Sequence, residues 1–574
     1  MLMNQDILSI KIGGAAGQGI KSAGLMFAKV ASRSGFNTFD YTEYPSLIRG
    51  GHNSMQIVIS KEEIATPIKN VDLLVALNRE TLKKYLNCLE KDAGVIFDEA
   101  TNTDSLEFKA GGNKFPIPLS KLAEEAGNKE LFLNTVALGG LTALVNADLT
   151  ILKELINEEF GDKGETIVNK NYLAAETGYN FAKEHFADKI RNFLVKTDNV
   201  SPKIIVNGND SIAMGAIAAG LQFTAIYPMT PITNLLHILA SNQEKFRYVY
   251  KQPEDEIAAI NMAIGASFAG ARSMTATSGG GFCLMTEGYG LAGMTETPLV
   301  IIYGMRPGPA TGLPTWTEQG DLNFILHAHQ GEFPKIVLAA GDPKEAFELT
   351  MQAFNLADKY QTPVVVIVDK DICENDQTFS HFDFSGYEIN RGKFTTVAQT
   401  DYLRYKIEED GISMRTIPGN GSYLIANTDE HNETGYSNEE GENRKNQMQK
   451  RMRKLVTCEK VDMQEPKLFG PNEADLTIVS WGSNKGSILH AMKKFENVNF
   501  LYINWINPFP GEKVKQILGK AKKIIDIECN YSGQLADLIR QKTGIEITER
   551  LLSFNGRPIY PEDIIEKINK TITG

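Results

Sequence analysis

The sequence predicts an α/β protein made of three consecutive α/β domains. Two observations predict this fold class. Short apolar strands alternate with amphipathic helical stretches, and this alternation restarts twice along the chain. The strands are also apolar and rich in β-branched residues, as is typical of parallel sheets buried on both faces. The length of 574 residues is enough for about three or four domains.

The first domain is expected to span residues 1–196. Its predicted strands are "ILSIKI", "SMQIVIS", "VDLLVAL" and "AGVIFD", and helical periodicity covers residues 19–34 and 79–88. The uncharged stretch Leu133–Ala147 is too short to cross a bilayer, so it predicts a buried core helix. The segment "KTDNVSPK" then has the composition of a linker.

A glycine-rich loop, "GGAAGQGIKSAG" (residues 13–24), follows the first strand. Gly14 and Gly19 have the spacing of a P-loop, but Ile20 displaces Lys21 and Ser22 by one position, and the dinucleotide pattern G-x-G-x-x-G also fails. Two alternatives remain open. The loop either binds an anion at a helix N-terminus or makes a tight turn without a ligand.

The second domain is expected at residues 202–390, with the strands "KIIVN", "FTAIY", "PLVIIYG", "KIVLAA" and "PVVVIVD". Residues 391–468 are polar and charged, which predicts a surface excursion followed by a basic helix. A third, smaller α/β domain at residues 469–574 contains "LTIVSWG", "VNFLYINWINPF" and "KKIIDIECN".

Polar side chains follow three strands of the second domain. Thr230 lies in the turn "YPMTP", Glu256 begins a helix of small apolar residues, and Arg306 follows "PLVIIYG". Each has a plain structural alternative: a rigid turn, a helix-dipole partner and a surface salt bridge. Ligands of parallel α/β sheets bind at the carboxyl ends of the strands, so the three together suggest a site for a small anionic acid.

Glu256 abuts an apolar helix face, whereas Glu254 and Asp255 precede it. We expect Glu256 to be partly desolvated with a raised pKa, and its two neighbours to act as dipole partners of the helix. Arg306 is followed by a loop that carries further polar side chains: Thr311, Thr315, Thr317, Gln319 and Asp321.

Composition excludes several classes of function. The net charge of −12 argues against nucleic-acid binding. The five cysteines lie far apart and form no C-x-x-C pair, so no zinc or iron–sulfur ligand set is visible. The N-terminus "MLMNQDIL" does not resemble a signal peptide, and no stretch resembles a membrane span, which predicts a cytoplasmic protein.

Several motifs resemble those of the 2-oxoacid:ferredoxin oxidoreductase family. "YPMTP" is similar to its Y-P-x-T-P motif, and "RPGPATGLPTWTEQGDL" to its R-x-G-P-S-T-G-x-P-T loop, with Ala310 where serine is usual. "GGAAGQG" with "RGGHNS" resembles the family's γ domain, and "ECNYSGQLADLIR" resembles the C-terminal segment of the 2-oxoglutarate type. The resemblance implies a γ-type domain, a thiamine diphosphate pyrimidine-binding domain and a transketolase C-terminal-like domain.

The resemblance also implies an activity. Such enzymes use thiamine diphosphate to decarboxylate a 2-oxoacid oxidatively to an acyl-CoA and pass electrons to ferredoxin. By position, Glu256 matches the glutamate that meets the aminopyrimidine, next to Tyr227 and Pro228, while Thr230 matches a threonine at the 2-oxoacid. Arg306 and Thr315, with Thr311, match residues that hold the substrate.

The resemblance further implies a division between subunits, because the chain lacks a G-D-G…N segment and clustered cysteines. A β subunit is expected to supply Mg²⁺, the diphosphate site and a [4Fe–4S] cluster in an (αβ)₂ assembly, and this chain is expected to be active only with it. The loop with Gly14, Gly17 and Gly19, and more weakly Arg49, is a candidate contact for CoA.

The preferred substrate is predicted to be 2-oxoglutarate, with pyruvate or branched-chain 2-oxoacids as alternatives. A different reading makes the first domain an NAD-binding oxidoreductase domain, because Asp40 lies near the position where an acidic residue would bind the ribose.

Overall fold

The computed structural model describes residues 7–47, 50–104, 106–108, 112–196 and 200–573. Arg49 lies outside the described residues. The chain divides into two compact units. The first comprises the described residues within Met1–Val206 together with Asn375–Phe382 and Tyr560–Asp563, and the second comprises the rest.

The strands of the described chain are β1 Ile7–Ala15, β2 Asn37–Glu43, β3 His52–Ser60, β4 Val71–Ala76, β5 Leu89–Asp98, β6 Asn113–Ile117, β7 Ile204–Val206, β8 Phe223–Ala225, β9 Val249–Lys251, β10 Ser273–Thr277, β11 Leu299–Met305, β12 Ile336–Ala339, β13 Pro363–Asp369, β14 Gln377–Phe379, β15 Lys467–Phe469, β16 Leu476–Ser480, β17 Val498–Tyr502, β18 Trp505–Asn507, β19 Ile524–Glu528 and β20 Glu549–Leu552.

The α-helices are α1 Ile20–Arg33, α2 Arg79–Tyr85, α3 Leu119–Glu125, α4 Lys129–Leu144, α5 Leu149–Phe160, α6 Glu165–His185, α7 Gly208–Ala218, α8 Thr233–Phe246, α9 Glu256–Phe268, α10 Gly279–Met294, α11 Leu322–His327, α12 Pro343–Tyr360, α13 Lys370–Glu374, α14 Gly441–Val461, α15 Asn484–Met492, α16 Gly511–Leu518, α17 Gln534–Thr543 and α18 Pro561–Thr573. Among the described residues, every helix is too short or too polar to span a bilayer.

The first unit is built on an eight-stranded sheet in the order β6-β5-β4-β1-β3-β2-β14-β7. The four predicted strands are confirmed as β1, β3, β4 and β5. The sheet is mixed rather than parallel, because β3 runs antiparallel to both β1 and β2. The sequence analysis missed β2, because Thr38, Asp40 and Thr42 interrupt its apolar pattern. These residues are buried and form hydrogen bonds to residues in or beside β14; for example, the backbone N–H of Thr38 donates to Thr378 Oγ1 at 2.8 Å.

One predicted strand was assigned to the wrong sheet. Residues 204–206 were expected to begin the sheet of the second domain, but β7 pairs with β14, which itself pairs with β2 at Phe39. A three-residue apolar strand carries no information about which partner it joins. The predicted core helix is confirmed as α4, which packs on α6 through Gly139 and Gly178.

The second unit contains two sheets. The larger has the order β18-β12-β13-β11-β10-β8-β9 and is parallel apart from β18, and the smaller has the order β15-β17-β16-β19-β20 and is parallel apart from β15. One apolar core includes buried side chains from both sheets, for example Ile301 of β11 and Val479 of β16. The two sheets therefore pack as one body.

The basic helix α14 is more buried than its sequence suggests. Lys450 and Lys454 are fully buried, and both amino groups pair with the fully buried carboxylate of Glu296, at 2.6 Å for the shortest contact of each. The expectation of a surface element is therefore wrong for this face of α14. A sequence shows the lysines but not the distant acid that makes their burial tolerable.

Candidate active site

The candidate site is formed by the segments that follow β8, β9, β10 and β11. These four strands are neighbours in the sheet and run parallel, so their carboxyl ends lie at the same edge. The segment after β8 carries Tyr227, Pro228 and Thr230, all half-buried. The three strand ends that the sequence analysis selected, those of β8, β9 and β11, thus lie at one edge of the sheet, with β10 between β8 and β11.

Arg306 connects two of these segments. Its Nη1 donates a hydrogen bond to the backbone carbonyl of Thr230 at 2.9 Å. Burial lowers the pKa of Arg306, and the nearby carboxyl of Asp321 opposes that effect. An arginine side chain stays protonated under such conditions, so a fixed positive charge lies at this edge of the sheet.

Glu256 is the first residue of α9, and only 3% of its surface is exposed. Burial is the main cause of its raised pKa, with Asp255 adding to it. Within the described residues, its Oε1 has no hydrogen-bond partner. Asp255 caps the helix by accepting from Ala258 N at 2.8 Å, and Glu254 is exposed, so the predicted difference between Glu256 and its neighbours is confirmed.

Gly281, in the first turn of α10, lies directly against Glu256. A Cβ at this position would come within 2.6 Å of Glu256 Oε1, 2.7 Å of Glu256 Cγ and 2.1 Å of Thr277 Oγ1. Only glycine leaves room for the carboxyl there. Residues 275–281 ("TATSGGG"), which join β10 to α10, therefore bring the N-terminus of α10 into contact with the buried acid.

Asp321 and Tyr303 complete this edge of the sheet. Tyr303 OH donates to Asp321 Oδ2 at 2.9 Å, and a Cβ on Gly279 would lie 3.0 Å from the same oxygen. Burial raises the pKa of Asp321, while Tyr303 and Arg306 act in the opposite direction. Sequence reasoning named Asp321 only as part of a polar loop and missed Tyr303; its position at the end of a buried strand was the available signal.

The threonines of the loop after β11 differ in their surroundings. Thr315 and Thr317 are buried, and Thr317 N donates to Gly556 O at 3.3 Å, whereas Thr311 is exposed. The loop therefore has an outer part at Thr311 and an inner part that begins at Thr315.

The glycine-rich loop belongs to the first unit. Ala15 N donates to Gln18 Oε1 at 2.7 Å, Ala16 N to Gly51 O at 2.9 Å, and Gln18 N to Ala15 O at 3.1 Å. Gly17 and Gly19 have positive φ angles of 92° and 67°. Because these three N–H groups already have partners, within the loop or at Gly51, the geometry favours the tight turn over a phosphate cradle.

Comparison with protein-family models gives three matches along the chain. Residues 9–181 match the model described as pyruvate ferredoxin/flavodoxin oxidoreductase. Residues 214–452 match pyruvate flavodoxin/ferredoxin oxidoreductase, thiamine diphosphate-binding, and residues 474–564 match pyruvate:ferredoxin oxidoreductase core domain II.

Individual relatives match over nearly the whole length. The chain is 34% identical to a 2-oxoacid:ferredoxin oxidoreductase subunit alpha from Sulfolobus sp., covering 98% of this chain and 97% of that one. It is 29% identical to the 2-oxoglutarate oxidoreductase subunit KorA of Mycobacterium tuberculosis, covering 98% and 91%. A solved structure of 2-oxoglutarate:ferredoxin oxidoreductase from Magnetococcus marinus, with 2-oxoglutarate, coenzyme A and succinyl-CoA bound, superimposes with a TM-score of 0.93 at 33% identity over 99% of this chain and 100% of that one.

Proposed function

This chain belongs to the alpha subunits of the 2-oxoacid:ferredoxin oxidoreductase family, and we propose that its substrate is 2-oxoglutarate, which it converts with CoA to succinyl-CoA. The family that the motifs predict is confirmed, as is the architecture of α/β domains with a thiamine diphosphate-binding domain. The chain is thus an oxidoreductase subunit, and the designation of its relatives as alpha subunits implies a partner subunit.

The observation that carries the choice of substrate is the position of Arg306. It is a half-buried cation at the carboxyl edge of the sheet, oriented through Thr230 O. A guanidinium has five N–H donors, so one hydrogen bond to a carbonyl leaves donors for a carboxylate. Of the candidate substrates, 2-oxoglutarate carries a second carboxylate, whereas pyruvate and branched-chain 2-oxoacids do not.

We place Arg306 at the distal carboxylate rather than at C1. The C1 carboxylate leaves as CO₂, and its charge disappears during that step. A strong ion pair with C1 would stabilise the ground state more than the transition state and slow the reaction. An ion pair with the distal carboxylate keeps its strength throughout, and it orients the substrate without that cost. Thr230 and Thr315 are proposed to contact the same substrate.

Glu256 fits the cofactor that this family uses. A buried carboxyl with a raised pKa and an unpartnered oxygen matches a ring nitrogen that exchanges a proton. Thiamine diphosphate, when bound, supplies the carbanion chemistry that breaks the C1–C2 bond. Glu256 would hold the aminopyrimidine N1′ and its proton, beside Tyr227 and Pro228.

The remaining assignments follow from the same proposal. Mg²⁺ and a [4Fe–4S] cluster are assigned to the β subunit, ferredoxin accepts the electrons, and the assembly is (αβ)₂. Among the described residues, no three His, Cys, Asp or Glu side chains gather as a metal site. The 13–24 loop stays a candidate contact for CoA.

Arg306→Lys tests the substrate assignment in the holoenzyme purified with its β subunit. Lysine keeps the charge but loses the two-pronged geometry, so KM for 2-oxoglutarate should rise about tenfold, or ~1.4 kcal/mol. KM for pyruvate should change much less. Arg540→Lys, at an exposed surface pair with Glu546, is the control and should leave both values unchanged.

Two results would contradict the proposal. Equal losses for both acids would place Arg306 at the shared C1 carboxylate. Unchanged constants for both would make it a structural residue only.

A further inference from the structure

The segment "ECNYSGQ" (residues 528–534), which the proposed function does not use, contacts the loop that carries the substrate residues. We call residues 306–321 the substrate loop and residues 528–534 the anchor segment; both belong to the second unit. The substrate loop begins at the end of β11, where Arg306 is already oriented. Its other end lies against the anchor segment.

Gln319 makes most of this contact. Its backbone N donates to Cys529 O at 2.6 Å, and its Oε1 accepts from Cys529 N at 3.1 Å and from Asn484 Nδ2 at 2.8 Å. Its Nε2 donates to Trp481 O at 3.2 Å, and its carbonyl accepts from Asn530 Nδ2 at 3.3 Å. The residue is 1% exposed.

Gln534, at the end of the anchor segment, forms hydrogen bonds to the residues that follow Gln319. Its Nε2 donates to Gly320 O at 2.7 Å, and its Oε1 accepts from Asn323 N at 2.9 Å. Gly482 also leaves room for the loop, because a Cβ there would come within 2.4 Å of Gln319 Nε2.

The anchor segment is itself held in place by a buried acid. Glu528 Oε2 accepts from Trp481 Nε1 at 3.0 Å and from Asn530 Nδ2 at 2.8 Å, and Oε1 accepts from Leu535 N at 2.8 Å. Glu528 is fully buried. Because its partners include the residue that binds Gln319 O, the acid orients the surface on which the loop lies.

We propose that Gln319 is a positioning residue for substrate binding: through the anchor segment it fixes where Thr315 and Asp321 lie relative to Arg306. Asp321 is two residues away and accepts from Tyr303 at the end of β11, so both ends of the loop meet at the site. The smaller sheet thereby contributes to substrate binding without touching substrate. This inference rests on the proposed function, which places Arg306 and Thr315 at the substrate; the exchange measurement below does not depend on that placement.

Gln319→Glu in the holoenzyme tests the inference. The change keeps the size of the side chain and its acceptor, but it removes the donor to Trp481 O and brings a carboxylate against that carbonyl. The matched control is Asn499→Asp, which removes a side-chain donor to Pro471 O. Asn499 is buried in β17 of the smaller sheet, away from the substrate loop. Gln534→Glu is a second variant at a less deeply buried position; it removes the donor to Gly320 O and brings a carboxylate against that carbonyl.

Two measurements are made on each variant. Hydrogen–deuterium exchange of peptides covering residues 307–321 should become faster in Gln319→Glu and Gln534→Glu and stay unchanged in Asn499→Asp. KM for 2-oxoglutarate should rise about fivefold or more in Gln319→Glu with KM for CoA unchanged.

Wild-type exchange in both loop variants, or faster exchange with an unchanged KM, would overturn the inference. If the wild-type holoenzyme turns over another 2-oxoacid instead, the proposed substrate fails. The exchange experiment and the KM comparison then apply to that acid.

Discussion

Gly281 offers a sharp test of the site, because the structure predicts both the clash and its consequence. In Gly281→Ala the added Cβ would lie 2.1 Å from Thr277 Oγ1 and 2.6 Å from Glu256 Oε1. A Cβ in ordinary van der Waals contact lies 3.4–4 Å from the nearest heavy atoms. Thr277, Glu256 or the start of α10 must therefore move by about 1 Å or more.

A displacement of this size is expected to be costly for catalysis. Misplacing a reacting group by about 1 Å can lower a rate by roughly 10²-fold. In helix propensity alone, alanine is favoured over glycine by about 1 kcal/mol, so the change should not unfold α10. We expect kcat to fall by about 10²-fold in the holoenzyme, with a smaller change in the melting temperature.

Gly290→Ala is the matched control on the same helix. Its Cβ would meet only Phe333 Cε1 at 4.0 Å, so it should keep kcat and gain up to about 1 kcal/mol of stability. Both variants are assayed by 2-oxoacid-dependent reduction of ferredoxin and by thermal unfolding. Wild-type kcat in Gly281→Ala, or an equal loss in Gly290→Ala, would refute the proposed catalytic importance of the contact between α10 and Glu256.

Two further variants test buried acids. Glu256→Gln should lower kcat by about 10² or more. Because the folded pKa of Glu256 is raised, its stabilising contribution is complete below the unfolded pKa and is lost as the pH rises through the folded pKa. The variant should therefore melt at the same or a higher temperature than the wild type at pH 7 and lose that advantage toward pH 4, and a lower melting temperature at pH 7 would contradict the desolvation of Glu256. Glu296→Gln should destabilise the chain by about 3–5 kcal/mol, because Lys450 and Lys454 lose their buried partner. Glu442→Gln, at an exposed ion pair with Lys445 on α14, is the control and should melt like the wild type. If Glu296→Gln also melted like the wild type, the buried ion pairs of Glu296 with Lys450 and Lys454 would contribute nothing to stability.

The sequence was informative where one residue's chemistry followed from its immediate neighbours. Glu256 directly precedes an apolar helix face, and Arg306 directly follows a buried strand; both lie where expected. Interactions between distant segments could not be predicted. The burial of α14 depends on Glu296, some 150 residues earlier in the chain, and the Gln319 contacts depend on residues about 160 and 210 positions later.

Strands with many polar residues were also difficult to predict from the sequence. β2 is buried on both faces although five of its seven residues are polar, because residues in and near β14 pair with its hydrogen-bonding groups. No local pattern distinguishes such a strand from a loop. Missing β2 is also the reason why the antiparallel direction of β3 in the first sheet was not predicted.

The pairing of β14 with β2 also limits how the first unit can be made during synthesis. Residues 377–379 emerge from a ribosome about 180 residues after residue 196, so the growing chain has no partner for the outer edge of β2 for that whole interval. An unpaired edge strand is a template for association with other chains. A fragment cut after residue 196 would keep that edge permanently, and it would be expected to aggregate or recruit a foreign strand rather than behave as an independent domain.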